Sequence, residues 1–288
     1  MELRCVKYAL ISTAKKLLMY AVILSICTVL TIVFRDKLVI GENLIESLPE
    51  DFFPLIGMNV VKQMEVCKEV LLIIMGILNL FIIGMISIQS AKVFGHSIDF
   101  RQYAFILYQP HGRIYYYIVR MLSSVASGLL LWIGYIIECE IALSVMAKNT
   151  HTSYVFGEYF VKVGMLGILL TIFMIGAGIL YFTIKNNLFS YGNIVISTII
   201  ICFFLGNAYK VPKLVAYYMR MFQMDISVVE SIGTILNKFT WLHPLEQLNM
   251  FMIESKGASV GILCAYMIIG LLFIGLSFFI YMRKDLER

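Results

Sequence analysis

The sequence from Gln89 to Arg120, QSAKVFGHSIDFRQYAFILYQPHGRIYYYIVR, separates two long apolar segments and decides how the chain is divided. It is a polar connection that carries basic charge, an amphipathic run and the turn residues Pro110 and Gly112. Proline and glycine end helices and change the direction of the chain. The pattern predicts a short amphipathic helix, followed by a turn into the next apolar segment.

The composition of the whole chain is that of a membrane protein. Of the 288 residues, 60% are apolar and 14% are charged, and the mean hydropathy is +0.88. Soluble domains are about half apolar and about a quarter charged. Apolar stretches of about 18 residues or more recur along the chain. The sequence therefore predicts an all-α integral membrane protein with one transmembrane domain, residues 1–288, and no separate soluble catalytic domain.

Six apolar runs predict six transmembrane helices. These runs are 17–34, 70–88, 115–141, 161–184, 191–207 and 259–282. All five prolines fall outside them, as expected because proline removes a helical hydrogen bond and clashes with the preceding turn. The fourth run contains small residues that permit close helix packing, namely Gly164, Gly167, Gly176 and Gly178.

The residues before the first run, 2–16, form an amphipathic pattern. Apolar and basic residues fall on different helical faces, with Leu3, Val6, Leu10 and Leu17 on one and Arg4, Lys7 and Lys15 on another. This pattern predicts an interfacial helix that lies on the membrane surface. The alternative is that these residues are the first turns of a longer first helix.

The connection 208–258 is too apolar for a solvated loop. Apolar side chains recur in it at helical spacing, at Val228, Ile232, Ile235, Leu236 and Phe239. We expect short interfacial or re-entrant helices here, on or in the outer leaflet, where protein or interface satisfies the backbone. A seventh span is the alternative, and the charges of Glu230 and Lys238 argue against it.

The distribution of positive charge orients the chain. An even number of spans places both termini on one side, and basic residues lie close to the terminal spans: Arg4, Lys7, Lys15, Lys16, Arg283, Lys284 and Arg288. The positive-inside rule then predicts that both termini are cytoplasmic. No basic run reaches the length of a nucleic-acid-binding patch. We therefore expect the chain to contact a lipid bilayer and not to bind nucleic acid.

The sequence carries no signature of common catalytic or metal sites. Nucleotide-binding G-x-x-x-x-G-K-[ST], metalloprotease H-E-x-x-H and hydrolase G-x-S-x-G motifs do not occur. The four histidines are far apart, and none of the six cysteines forms a C-x-x-C pair. We therefore expect no enzymatic activity, no metal and no cofactor on this chain.

Two carboxylates, Glu138 and Glu140, lie near the outer end of the third run. An ionisable residue inside a span is a functional hypothesis by default, and these two would line a path for a cationic substrate. The alternative is an interfacial position, because a shift of the helix boundary by about two residues would place both at the membrane surface.

Three features resemble the ABC-2 type permeases, the membrane subunits of one class of ATP-driven exporter. The first is six spans preceded by a basic amphipathic helix. The second is the sequence 106–113, which resembles the family's Leu-Leu-x-x-Pro-x-Ser-Arg-like turn, with Gly112 in place of serine. The third is Thr240–Pro244, similar to an aromatic or leucine run that ends in proline. The sequence His96–Asp99 departs from the family, which often has a glutamate and a Gly-Thr pair there.

This resemblance implies a function and a set of partners. Residues 90–114 would form a cytoplasmic coupling segment that contacts a separate ATP-binding subunit, and that subunit would hold ATP and Mg²⁺. A second permease chain would complete the path, and the assembly would export a peptide, lipid-like or drug-like substrate across a bacterial cell membrane. The coupling residues would be Phe94, Asp99, Arg101, Phe105, Pro110 and Arg113. The alternatives are a non-transporting immunity or sensor protein, or an intramembrane enzyme.

Overall fold

The computed structural model describes residues 2–34, 66–95, 112–150, 154–185, 187–208, 210–222, 225–238 and 258–283. Eight α-helices occupy these ranges: α1 Glu2–Val33, α2 Val66–Gly95, α3 Gly112–Thr150, α4 Met165–Lys185, α5 Leu188–Asn207, α6 Lys210–Met221, α7 Ser227–Asn237 and α8 Ala258–Arg283. A π-helical turn, Phe160–Gly164, directly precedes α4.

Five helical segments are long and apolar enough to cross a membrane: Lys7–Val33, Ile74–Gly95, Gly112–Thr150, Met165–Lys185 and Val260–Arg283. They confirm the prediction of an all-helical, multi-pass membrane protein. The predicted fifth run lies in α5, where the apolar segment Leu188–Ile201 is shorter than these five. The sixth span therefore stays a prediction.

Helix α1 differs from the expected interfacial helix followed by a separate span. It is one continuous helix of 32 residues, Glu2–Val33. One face of its first half packs against the bundle, because Ala9 and Thr13 are buried and Thr13 Oγ1 lies 2.7 Å from Ser127 Oγ of α3. The alternative, a longer first helix, agrees with this arrangement.

The directions of the helices follow from contacts between them. The ring of Phe94, at the end of α2, meets that of Tyr117, near the start of α3, and Tyr135 Oη donates to Met75 O 3.3 Å away at the opposite end. Helices α2 and α3 are therefore antiparallel. We call the end of the bundle at which α2 ends and α3 begins the basal end, and the opposite end the distal end. Helix α8 also ends at the basal end, where Arg113 contacts Met282.

Helix α4 packs between α2 and α8, and its glycines form the closest contacts. A Cβ at Gly176 would collide with Gly270 O of α8, and a Cβ at Gly178 would lie 2.5 Å from Ser87 O of α2. A Cβ at Gly167 would collide with the Trp132 indole of α3. The predicted packing role of these glycines is confirmed, because the absent side chains let three helices approach the α4 backbone.

Helix α5 begins beside the end of α4 and runs back along α2. The Tyr181 and Tyr191 rings stack at 4.5 Å, and Tyr191 Oη hydrogen-bonds Ser87 Oγ. Helices α6 and α7 then form a hairpin joined by an Arg220–Glu230 ion pair. Their exposed apolar side chains include Val211, Val215, Val228, Ile232 and Ile235. The short helices predicted before the last span are thus present, and their placement in the outer leaflet stays a prediction.

Candidate functional site

A cluster of five aromatic rings joins four helices at the basal end. Tyr117 is its centre: its ring centroid lies 5.5 Å from Phe94, 5.2 Å from Phe278 and 5.4 Å from Tyr281. Phe182 of α4 adds an edge-to-face contact with Phe94 at 6.4 Å. We call these five residues the aromatic anchor. Edge-to-face pairs have a preferred geometry, so the anchor fixes the ends of α2, α4 and α8 against the start of α3.

Hydrogen bonds reinforce the anchor. Tyr117 Oη donates to Ile274 O at 2.9 Å and also contacts Ser277 Oγ. Arg113 Nη1, in the first turn of α3, donates to Met282 O at 3.4 Å. Lysine and arginine near a helix C-terminus stabilise its last carbonyl groups, so Arg113 holds the end of α8 beside the start of α3.

A buried arginine lies next to the anchor. Arg120 is 9% exposed, and its guanidinium carbon lies 4.5 Å from the Tyr116 ring centroid and 5.6 Å from that of Phe94. Arginine is attracted to aromatic faces by their quadrupole. Arg120 is not among the site residues predicted from the sequence, although a basic residue well inside an apolar run is a signal that could have identified it.

The predicted coupling residues divide into three groups. Phe94 is 2% exposed and belongs to the core, which differs from the expectation that it contributes to an exposed docking face. Arg113 is half-buried and reaches across to α8. The remaining positions lie outside the described residues: Asp99, Arg101, Phe105 and Pro110.

At the distal end, Glu140 is tied to the segment that leads into α4. Its Oε2 accepts hydrogen bonds from Tyr154 Oη at 2.7 Å and from Gly157 N at 3.1 Å, and its Oε1 accepts one from Phe160 N at 2.6 Å. The carboxylate is 2% exposed. Three donors thus satisfy a charge that would otherwise be costly to bury.

The geometry of the loop agrees with this role. Gly157 has a φ of 94°, a conformation that glycine adopts without steric cost, and its N–H donates to Glu140. Burial, followed by the hydrogen bond to Glu140, raises the pKa of the Tyr154 phenol well above its usual value. Tyr154 therefore stays a neutral donor, and Glu140 acts as a structural cap for residues 154–160.

Glu138 has a different environment. It is half-exposed, and its Oε2 is buried without a hydrogen-bond partner among the described residues. Residues two apart on a helix point to different sides, so the structure does not bring Glu138 and Glu140 together at one site. Of the two predicted path residues, Glu138 alone has a carboxylate oxygen to which no described residue donates.

Two side chains near the same end make further buried hydrogen bonds. Asn79 Nδ2 donates to Tyr159 Oη at 3.1 Å, which ties α2 to the segment before α4. Trp132 Nε1 donates to Gly164 O in the π-helical turn at 2.9 Å. In the described ranges, no group of three or more His, Cys, Asp or Glu residues is placed to hold a metal ion.

Neutral polar side chains line the contact between α1, α2 and α3. Ser12 Oγ donates to Gln89 Oε1 at 3.2 Å, and Gln89 Nε2 donates to Ser127 Oγ at 3.3 Å. Ser124 Oγ donates to Ser90 O at 2.8 Å. We call this group the polar seam. Hydroxyls dispersed among apolar residues give no periodic signal in the sequence, so the seam could not be predicted from it.

Comparison with known proteins found no matching family model, no matching curated protein and no matching solved structure.

Proposed function

We propose that the chain is the membrane-spanning permease subunit of an ABC exporter in a bacterial cell membrane. A separate ATP-binding subunit would bind at the basal end and hold ATP and Mg²⁺. A second permease chain, identical or related, would complete the path. The proposal rests on the sequence resemblance, together with the way in which the basal end connects the coupling segment to the helices.

One arrangement supports coupling most directly. The predicted coupling segment lies between Gly95, the last residue of α2, and Gly112, the first residue of α3. Both residues adjoin the aromatic anchor. Phe94 links the segment between them to α3 and α4, and Arg113 links it to α8. Because protein interiors are close-packed and transmit displacement, a force on residues 96–111 would reach four helices together.

The substrate path and the exit belong to the same proposal. Glu138 is the candidate path residue, because one of its oxygens receives no hydrogen bond from the described part of the chain, whereas both oxygens of Glu140 accept hydrogen bonds. Helix α5 would be the sixth span, and the α6–α7 hairpin would lie in the outer leaflet beside the exit. The cargo would be a peptide, a lipid-like compound or a drug-like compound.

Co-purification from the native membrane tests the proposal. The tagged chain should bring down an ATP-binding subunit with ATPase activity, and the double variant Phe105→Ala/Arg101→Ala should lose most of that partner, because interface hot spots are aromatic and arginine residues. The single variant Arg113→Ala should retain the partner but lose transport, because it breaks the contact with Met282.

Lys148→Ala provides the matched control, since Lys148 is exposed in the last turn of the same helix, at the distal end. It should change neither partner recovery nor transport. A well-folded preparation that brings down no ATPase would contradict the proposal and favour a ligand-sequestering membrane protein.

A further inference from the structure

Two lysine side chains lie at the contact between α1 and α2. The Ser12–Gln89 hydrogen bond joins these helices. Lys16 follows Ser12 by four residues and Lys92 follows Gln89 by three, so each lysine lies on the contacting face of its helix. Both lysines therefore bring positive charge to the same contact, each within one turn of the Ser12–Gln89 hydrogen bond.

This pair has no opposite charge among the described residues. Lys16 is half-buried and Lys92 is exposed, and no described carboxylate lies within ion-pairing distance of either; the described ion pair joins Arg220 and Glu230 on the distant hairpin. Bringing two cations together while partly burying one is unfavourable unless an anion joins them. The polar side chains one turn away, Ser12 and Gln89, are neutral and supply no negative charge.

A phosphate group meets the requirements of this position. It carries negative charge and several acceptor oxygens, and lysine binds phosphate as a compact point charge. An anion between the two ammonium groups would turn their mutual repulsion into two attractions. The exposed side of the pair, at Lys92, leaves a route by which such a group could reach Lys16.

The surroundings indicate that this phosphate belongs to a lipid. The outer surface of α1 carries exposed apolar side chains suited to acyl chains, at Leu10, Ile11, Leu18 and Met19, and of these Met19 lies one turn from Lys16. Basic pockets between transmembrane helices bind anionic headgroups. We propose that Lys16 and Lys92 bind the phosphate of an anionic lipid, whose acyl chains lie along α1. This site does not depend on an ATPase partner.

Lipid titration of the purified full-length chain in detergent tests the site. The midpoint of thermal unfolding is followed as phosphatidylglycerol is added, and an apparent dissociation constant is fitted. Wild type should be stabilised, and Lys16→Gln and Lys92→Gln should each weaken the apparent affinity about fivefold. Native mass spectrometry should show one fewer retained phosphatidylglycerol in each variant.

Lys15→Gln is the matched control, because Lys15 is the exposed neighbour of Lys16 on the same helix. It removes the same charge and should leave the affinity unchanged. An equal loss in Lys15→Gln and Lys16→Gln would overturn the site. So would equal stabilisation by phosphatidylcholine, and equal stabilisation by inorganic phosphate would identify a free-anion site instead. Should Lys16→Gln fail to fold, the exposed Lys92→Gln decides the outcome.

Discussion

At the scale of single residues, two glutamates of the same helix have separate roles. Glu140 accepts three hydrogen bonds from residues 154–160, whereas Glu138 has a buried oxygen with no donor in the described ranges. The sequence identified both carboxylates as candidates but did not predict this difference. The donors to Glu140 come from positions 14 to 20 residues later in the chain. No local sequence pattern predicts these contacts.

Glu140→Gln should destabilise the fold. An amide has one acceptor oxygen in place of two, so at least one of the donors Tyr154, Gly157 and Phe160 loses its partner. An unsatisfied buried donor costs about 1–3 kcal/mol, and each kcal/mol lowers the midpoint of unfolding by about 2–4 °C for a chain of this size. Thermal unfolding in detergent measures the change.

Glu138→Gln is the comparison for this prediction, because it removes the same charge from the same helix. Its midpoint should stay unchanged or rise, since the substitution removes a negative charge whose buried oxygen has no donor among the described residues. Equal destabilisation by both substitutions would contradict the structural role assigned to Glu140.

At the scale of elements, apolar runs predicted where the helices are but not where they end. Helix α3 continues from Gly112 to Thr150, beyond the predicted run 115–141. Helix α1 is continuous and includes the predicted interfacial segment, residues 2–16. In a sequence, polar and charged residues inside a long helix look like a loop between two helices. Tertiary packing, such as that of Thr13 against Ser127, stabilises a continuous helix instead.

Gly270→Ala should separate α4 from α8. A Cβ at this position would lie 2.5 Å from Phe173 Cα and 2.8 Å from Ile172 O, and these are backbone atoms that cannot rotate away. Overpacking of a core contact costs about 1–3 kcal/mol. We expect a lower midpoint of thermal unfolding, measured by the loss of helical circular dichroism.

Gly275→Ala on the same helix gives the internal control, because a Cβ there meets nothing within 4 Å. Alanine favours a helix over glycine by about 1 kcal/mol, so this variant should be as stable as wild type or more stable. If Gly270→Ala behaved like Gly275→Ala, the close crossing of the two helices would be disproved.

At the scale of the whole molecule, the basal end gathers the segments that a soluble partner would contact. Helices α2, α4 and α8 end there, and α3 begins there. Composition predicted the membrane class, and residue pattern predicted most of the spans. The aromatic anchor and the polar seam depend on contacts between residues far apart in the chain, such as Tyr117 with Phe278, which a single sequence does not reveal.

The number of crossings is the property of the whole molecule that most needs a test. Helix α5 has 20 residues and is therefore about 30 Å long at 1.5 Å per residue, close to the thickness of a bilayer core. Near its start Tyr191 lies beside Ser87, and further along Ile199 lies beside Gly84, so the helix runs antiparallel to α2. We therefore expect α5 to carry the chain across the membrane, so that residues 186 and 224 lie on opposite sides.

Reporter insertions test on which side of the membrane these two positions lie. Alkaline phosphatase inserted after residue 224, between α6 and α7, should be active outside the cytoplasm, whereas the same insertion after residue 186 should be inactive. A fluorescent protein that folds only in the cytoplasm should give the reverse pattern. Equal reporter activity at both positions would show that α5 does not cross, which would place the α6–α7 hairpin on the cytoplasmic side and remove its proposed location beside the exit.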